Sequence, residues 1–369
     1  MLRALIPFVL GTASLAIFKW WLVSTGRTPG YTDLVTVGVL RVLRNTHELA
    51  ALVLHHIFIA VLYLGLFCCP FLLFSSRNML RPSNASSRML AACGFVLVIA
   101  GFVIHLHYVR VGSGAPFMPV GWNILSSFGI GPIVLRDVSM LNVNVPPSLP
   151  AWFWVAVTTI TVYGAVLFTL RLCKVSAEMP RARFTEHLTG TGNHIRAFLL
   201  LLCLLYLAPV IFTALFDEYL VPLTPLLAGA LATKDLSPSF FKCAVLPRIF
   251  SVLLTLGLAV FSICGTRDYL MLNRVRWVAL ENLQRDLHVG PEDVDGGYEF
   301  NGWYLYDPKH EVSLDWESSG KNLWWVRRDT YLIGLGPIPD YTILKEYKYE
   351  NWMPPHTQKI VVLRRSSLR

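Results

Sequence analysis

Long uninterrupted runs of apolar residues constrain this chain more than any other feature of its sequence. A helix needs roughly 20 apolar residues to cross the hydrocarbon core of a bilayer, which is about 30 Å thick. Seven segments reach or approach that length, and only 15% of the residues are charged, against about 25% in soluble domains. We therefore predict about seven transmembrane helices. The segments are Ala4–Val23, Leu49–Phe74, Met89–His107, Ala151–Leu170, Ala197–Phe216, Tyr219–Ala232 and Ile249–Gly265.

The sixth segment leaves two interpretations open. It has only 14 residues, and Pro222 and Pro225 interrupt it. At 1.5 Å per residue it reaches about 21 Å, which is short for a crossing. We expect a crossing, and a re-entrant segment is the alternative.

The distribution of basic residues predicts the orientation in the membrane. Cytoplasmic loops carry an excess of Lys and Arg. With the N-terminus inside and seven crossings, the inside loops hold 11 basic residues and the outside loops 5. We therefore expect an integral inner-membrane protein with a cytoplasmic N-terminus and its C-terminal region outside the cytoplasm.

The last hundred residues differ in composition from the rest. Residues 1–264 hold 18 Lys and Arg against 8 Asp and Glu, whereas residues 265–369 hold 14 against 15. An amphipathic pattern from Asp268 to Val289 predicts a helix, and short aromatic and β-branched runs after Gly290 predict strands. The predicted fold is thus a membrane all-α polytopic bundle, residues 1–265, with a small C-terminal α+β domain, residues 266–369. The tail aromatics either fill the core of this domain or stack on sugars.

Several classes of function lack sequence support. No basic helix or aromatic–basic sheet motif indicates nucleic-acid binding. No nucleotide-binding or hydrolase motif is present, and we expect no cofactor. All seven cysteines lie in or beside apolar spans without metal-binding spacing, and we read the adjacent pair Cys68 and Cys69 as packing residues. His105 and His107 are two apart, which points them to different faces of a helix, and we predict no metal site.

Charged residues at the predicted outer membrane edge are the candidate site residues. Arg110 and Arg136 suit a lipid phosphate, because a guanidinium donates two parallel N–H groups to its oxygens. The alternative is a solvated arginine paired with a neighbouring carboxylate, such as Asp137. Asp217 and Glu218 follow the fifth segment, where they either act as base and phosphate-metal ligand or form a solvated turn.

Several stretches in order resemble one family. They are VLYLGLFCCPFLLF, GWNILSSFGIGPIVLRD, LFDEYLVPLTPLL, GTRDYLMLNRVRWVALENL and GPEDVDGGYEFNGWYLYDP. Together they resemble the C-terminal half of bacterial C-superfamily membrane glycosyltransferases, which are similar to dolichyl-phosphate-mannose protein mannosyltransferases and aminoarabinose transferases. Such enzymes carry their catalytic carboxylate in an acidic motif of an N-terminal outer loop. Nothing in this chain matches that motif, so we expect the catalytic half to be lacking.

The resemblance implies transfer of a sugar from a polyprenyl-phosphate carrier at the outer face. Arg110, Arg136 and Tyr219 are then candidates for holding the carrier phosphate, and Asp137 or Asp217 is a possible substitute acid or base. No catalytic residue is assigned. The expected partner is a polyprenyl-phosphate-linked sugar or another membrane lipid, and a partner membrane subunit is possible. A non-catalytic membrane subunit or lipid-binding protein is the first alternative, and a small transporter is the second.

Overall fold

The structure is a computed structural model that describes most of the chain. The described residues are 13–25, 46–74, 89, 92–103, 118–120, 124–141, 149–178, 191–212, 215–232, 245–307 and 324–366, apart from single positions within some of these ranges. Six helices in this part are labelled here. They are α1 (Thr46–Phe74), α2 (Ala151–Glu178), α3 (Thr191–Phe212), α4 (Leu223–Ala232), α5 (Val245–Leu287) and α6 (Tyr298–Leu305).

Four helices in the described part are long and apolar enough to cross a membrane, which is consistent with a membrane protein. They lie in α1, α2, α3 and α5. The prediction of seven spans is therefore not confirmed. Half of the first predicted span lies outside the described residues, and its residues 13–14 and 16–23 are helical. The third contains a shorter apolar helix, Ala92–Val103.

The sixth predicted span is not one long helix. A 3-10 turn, Asp217–Leu220, leads into α4, which has only 10 residues. Pro222 separates the two, because proline lacks the N–H that a continuous helix would need there. The turn contacts α1, and α4 contacts both α1 and α3.

The seventh predicted span and the predicted amphipathic helix form one helix. Helix α5 runs unbroken for 43 residues, about 64 Å. The sequence treated the apolar span to Gly265 and the helix from Asp268 as two elements, but a glycine inside a helix costs only about 1 kcal/mol and need not end it. Here Gly265 also has a packing role, since a Cβ at this position would press against Ile130. The helix therefore passes through the predicted boundary between residues 265 and 266.

Small residues let the first two long helices pack closely. A Cβ on Gly65 of α1 or on Gly164 of α2 would overlap backbone atoms of the other helix. Close backbone approach through small residues is the usual way in which membrane helices associate. A hydrogen bond from the Ser251 hydroxyl to the Pro70 carbonyl, at 2.6 Å, joins α5 to α1.

The contacts define two ends of the helix bundle. The domain end carries residues 118–139, the 3-10 turn and the C-terminal domain: Ile130 meets Gly265 there, and His56 lies 2.6 Å from the carbonyl of Ile211. The basic end carries Arg171, Arg196 and Arg248.

The C-terminal domain is a four-stranded sheet packed on the second half of α5, which confirms a small strand-containing C-terminal region. The sheet order is β3-β4-β6-β5, where β3 (Val294–Asp295) pairs in parallel with β4 (Tyr331–Gly334). Strands β5 (Tyr341–Trp352) and β6 (Pro355–Arg365) form a long antiparallel hairpin. A smaller hairpin, β1 (Leu125–Ser126) with β2 (Gly129–Ile130), belongs to the loop before α2.

Residues of the C-terminal domain and of the helix bundle pack against each other's hydrophobic cores. Met353, at the tip of the β5–β6 hairpin, packs against the core of the bundle. In return Leu135, from the loop before α2, is buried in the core of the domain. The carboxylate of Asp268 on α5 accepts backbone hydrogen bonds from Trp352 and Met353, both at 2.9 Å, and so holds the hairpin tip against the helix.

Candidate functional site at the domain end

Arg136 lies at the start of a single helical turn, Arg136–Ser139, and is almost fully buried. Its Nε donates to Asp295 at 2.5 Å and its Nη2 donates to Asp329 at 3.0 Å. Burial acts to lower the pKa of this guanidinium, but the charges and hydrogen bonds of Asp295 and Asp329 outweigh burial and raise it. The structure therefore engages Arg136 with two protein carboxylates, which is neither the exposed phosphate ligand nor the solvated arginine that the sequence suggested.

Further polar groups complete this ion network. Arg365 pairs with the other oxygen of Asp329. The remaining oxygen of Asp295 accepts from the side chain of Asn301 at 2.8 Å and from the backbone of Gly297 at 3.3 Å. A buried ion pair is stable only when its other hydrogen-bonding positions are also satisfied, and both aspartates meet that condition. The network thus fastens the loop before α2 to the sheet.

Asp137 is fully buried beside Arg136 and makes a second connection to the domain. One oxygen accepts from the backbone of Leu335 at 2.6 Å and the other from the backbone of Val138 at 2.8 Å. Burial raises the pKa of Asp137 to about 6, which the two backbone hydrogen bonds partly oppose. A fully buried carboxylate with both oxygens bonded to backbone is poorly placed to take a proton from a substrate.

Asp217, in the 3-10 turn, is also fully buried. Its two oxygens accept from the backbone N–H groups of Ile124 and Leu125, at 2.7 and 2.8 Å. The carboxylate therefore fixes the 3-10 turn to the loop, which is neither of the two roles that the sequence left open. Tyr219, two residues on, is half-buried, and its ring lies edge-on to Phe216 at 5.6 Å. Arg110 lies outside the described residues.

The stretch GPEDVDGGYEFNGWYLYDP, one of those on which the family resemblance depends, makes several contacts that stabilise the fold. Within it, Asp295 and Asn301 belong to the ion network. Gly297 has a φ of +94° and packs where a Cβ would collide with the carbonyl of Val134. Buried Arg276 of α5 donates to Glu299 at 2.8 Å. These contacts explain why this stretch contains two adjacent glycines between charged and amide side chains.

A small cavity lies between the β1–β2 hairpin, α5 and the β5–β6 hairpin. Its volume is about 60 Å³, which leaves room for a few water molecules. Gly131, with a φ of +107°, lies against the ring of Tyr269 at its wall. Among the polar side chains that line the cavity are Ser126, Asp268, Tyr269, Asn351 and Gln358.

The tail aromatics divide between core and surface. Trp324 and Trp325 are buried, and the ring of Tyr298 contacts both, at 5.7 and 5.6 Å between centroids. On the same side of the domain Trp303 of α6 is 81% exposed. Both sequence interpretations thus retain a structural basis, since core aromatics and an exposed tryptophan occur side by side.

The basic end has its own buried charges. Arg171 donates to the carbonyl of Leu231, and Arg196 donates to the carbonyl of Ala230 at 2.9 Å. These carbonyls form the C-terminus of α4, where the helix dipole favours positive charge. Two buried arginines therefore fix the end of the short helix, which no sequence pattern could indicate because their partners are peptide groups.

Within the residues that the structure describes, no group of three or more His, Cys, Asp or Glu side chains is placed to hold a metal ion. His105 and His107 lie outside those residues. Comparison of the chain with protein-family models, with curated proteins and with solved structures finds no match.

Proposed function

We propose that this chain is a glycosyltransferase-like membrane protein that binds a polyprenyl-phosphate-linked sugar and does not itself supply the base for transfer. The support for the first part is the resemblance of the ordered sequence stretches. The support for the second is the burial of Asp137 and Asp217, each of which accepts two backbone hydrogen bonds. A hydroxyl acceptor needs a positioned base, worth roughly 10²- to 10⁴-fold in rate.

The orientation is part of the proposal. The basic end faces the cytoplasm, and the C-terminal domain lies outside an inner membrane. Its support is the excess of basic residues in the predicted inside loops, together with the location of Arg171, Arg196 and Arg248 at one end of the bundle. A reporter enzyme that is active only outside the cytoplasm, fused after Arg369, should be active. A silent fusion expressed at the normal level contradicts this orientation.

The test of the function measures binding and turnover separately. Purified protein in detergent should retain a polyprenyl-phosphate-linked sugar, yet show no transfer to a hydroxyl acceptor above background. Turnover that disappears in Asp137→Asn or Asp217→Asn, with the fold intact, refutes the claim that these carboxylates are structural. Failure to retain the carrier refutes the glycosyltransferase-like proposal as a whole.

The exposed Trp303 favours one second candidate, a non-catalytic membrane subunit. Large apolar side chains that are exposed beside polar surface often mark protein contacts, and the ring lies on the outside of the domain next to half-exposed Tyr304. This function predicts a stoichiometric second subunit that the wild-type protein binds and that Trp303→Ser loses. Carrier retention by the isolated chain, unaffected by Trp303→Ser, counts against it.

A further inference from the structure

Helix α5 carries a continuous stripe of exposed residues on one face. Val252, Leu256, Val260 and Ile263 are each more than half exposed and recur at spacings of 4, 4 and 3. Such spacings place residues on one face of an α-helix. The same face continues through Arg267, Leu270 and Arg274 at spacings of 4, 3 and 4. Toward the C-terminus of α5, the exposed side chains on this face thus change from purely apolar to alternating cationic and apolar.

The change from apolar to cationic residues falls at the expected depth of a membrane surface. Arg248 marks one end of the apolar run, and 20 residues from Ile249 onward span about 30 Å. This count puts the hydrocarbon edge close to residue 268. Arg267 then lies at the edge, and Arg274 lies about 9 Å above it by helical rise. Side chains on a helix lean toward its N-terminus, so Arg274 leans back toward the membrane.

An open, shallow groove of about 600 Å³, whose seven lining residues all belong to α5, occupies the part of this stripe nearer the C-terminal domain. Apolar walls come from Ile263, Leu270 and Met271, hydroxyls come from Ser262 and Thr266, and cations come from Arg267 and Arg274. None of these seven lining residues is acidic. The lining therefore matches a molecule with an anionic oxygen-rich group at one end and a hydrocarbon chain at the other.

The two arginines are held differently. Arg267 stacks on the ring of Trp352, with 4.7 Å from guanidinium carbon to ring centroid, and its Nη1 bonds to Asp268 and to the carbonyl of Glu350. In the described part of the chain its Nε and Nη2 make no hydrogen bond, so they remain for an incoming anion. Arg274 is exposed and forms no ion pair among the described residues. One cation is thus positioned in advance, and the other is free to close on a ligand.

We propose that this groove binds the phosphodiester of an anionic glycerophospholipid, with an acyl chain along Ile263 and the stripe below it. Arg267 receives the phosphate at the hydrocarbon edge, and Arg274 contributes the second charge. Trp352 fixes the guanidinium and lies where tryptophan is favoured, at the boundary between hydrocarbon and headgroups. The lipid fastens the hairpin tip of the C-terminal domain to the membrane surface. This site is independent of the proposed sugar carrier.

The experiment compares lipid selectivity in full-length protein. Wild-type protein in mixed phosphatidylglycerol–phosphatidylcholine nanodiscs, followed by native mass spectrometry, should retain phosphatidylglycerol preferentially. One basic residue near an anionic surface is worth roughly 1 kcal/mol, about fivefold. Arg274→Ala should therefore reduce the preference about fivefold, and Arg274→Glu about 25-fold. Arg285→Ala is the matched control, because Arg285 lies on the same helix beyond the groove, is exposed, and pairs with Asp286.

Two further measurements separate the alternatives. Soluble glycerol phosphate, added at the same concentration, should not displace the lipid, since it lacks the acyl chain. Arg267→Lys should weaken retention while the melting temperature stays close to that of the wild type, because lysine keeps the charge and loses the planar fork. An unchanged preference in both Arg274 variants, or equal loss in Arg285→Ala, overturns the proposal. Displacement by glycerol phosphate alone overturns the lipid assignment.

Discussion

An Arg136→Ala substitution removes the cation that joins the loop before α2 to the sheet of the C-terminal domain. In the wild type the guanidinium is 4% exposed and bonds to both Asp295 and Asp329. Alanine leaves these two carboxylates without their shared partner at a site that water scarcely reaches. Arg136→Ala should therefore destabilise the protein, chiefly through the charges that it leaves uncompensated.

The structure limits the size of this effect. Breaking a buried ion pair by removing one partner costs roughly 3–5 kcal/mol. Here Asp329 keeps Arg365, and Asp295 keeps Asn301 and the backbone of Gly297. The retained contacts place the expected loss at the lower end, about 3 kcal/mol. For a cooperative unit of 150–250 residues this lowers the melting temperature by roughly 6–12 °C.

The assay is thermal unfolding of the purified protein in detergent, followed by near-ultraviolet circular dichroism. Arg136→Lys should recover part of the loss, because one ammonium cannot bridge two carboxylates as a guanidinium does. The double variant Arg136→Met, Asp295→Asn should recover more, since it removes charge from both sides of the pair. A double-mutant cycle should give a coupling of about 0.5–3 kcal/mol.

The same variants decide between a structural and a lipid-binding role for Arg136. Arg136→Ala should leave the affinity for a carrier phosphate unchanged in the fraction of protein that remains folded. If stability is unchanged and carrier retention falls, the ion network does not hold Arg136, and the phosphate-ligand hypothesis is right.

Three further predictions concern other parts of the molecule. Asp217→Ala should leave the backbone N–H groups of residues 124–125 without their acceptor and lower the free energy of unfolding by about 1–3 kcal/mol. Hydrogen exchange at these two residues should become faster, and unchanged exchange contradicts the role of Asp217 in fixing the loop. Because the folded pKa of Asp137 is raised to about 6, its contribution to stability is full below about pH 4 and falls as the pH rises through 6. Asp137→Asn should remove that part of the pH dependence of the denaturant midpoint, and a midpoint curve identical to the wild type refutes it. Gly164→Ala should destabilise the bundle in detergent melting, whereas Gly257→Ala, whose new Cβ meets open space, should not; equal effects contradict the close helix crossing.

The apolar helices were largely predictable, and their lengths were not. Runs of apolar residues correctly indicated α1, α2 and α3, since burial in lipid demands them whatever the tertiary contacts. After Gly265 the change from apolar to charged residues led the sequence analysis to treat the seventh segment and the amphipathic helix as separate elements. No residue there breaks a helix, and packing on both Ile130 and the sheet keeps α5 continuous. Composition thus separates the apolar half of α5 from its charged half, and it does not locate the helix end.

At the candidate site, the sequence identified individual residues but did not reveal their partners. The sequence singled out Arg136, Asp137 and Asp217 because charged residues beside apolar spans require an explanation. Their partners are distant in the chain: Asp295 is 159 residues from Arg136, and Leu335 is 198 residues from Asp137. Several partners are backbone N–H groups, which every residue except proline possesses and which no sequence pattern can mark.

By itself the sequence determined that apolar helices dominate the chain, that a mixed domain follows them, and that certain charges need partners. These properties follow from local composition and periodicity, which solvent and lipid act on directly. Only the tertiary structure decided that Arg136, Asp137 and Asp217 bond to distant segments of the chain and that Arg267 and Arg274 line one open groove. Whether a charge faces a ligand or a buried partner depends on which distant segments fold against it, and that is fixed by packing of the whole chain.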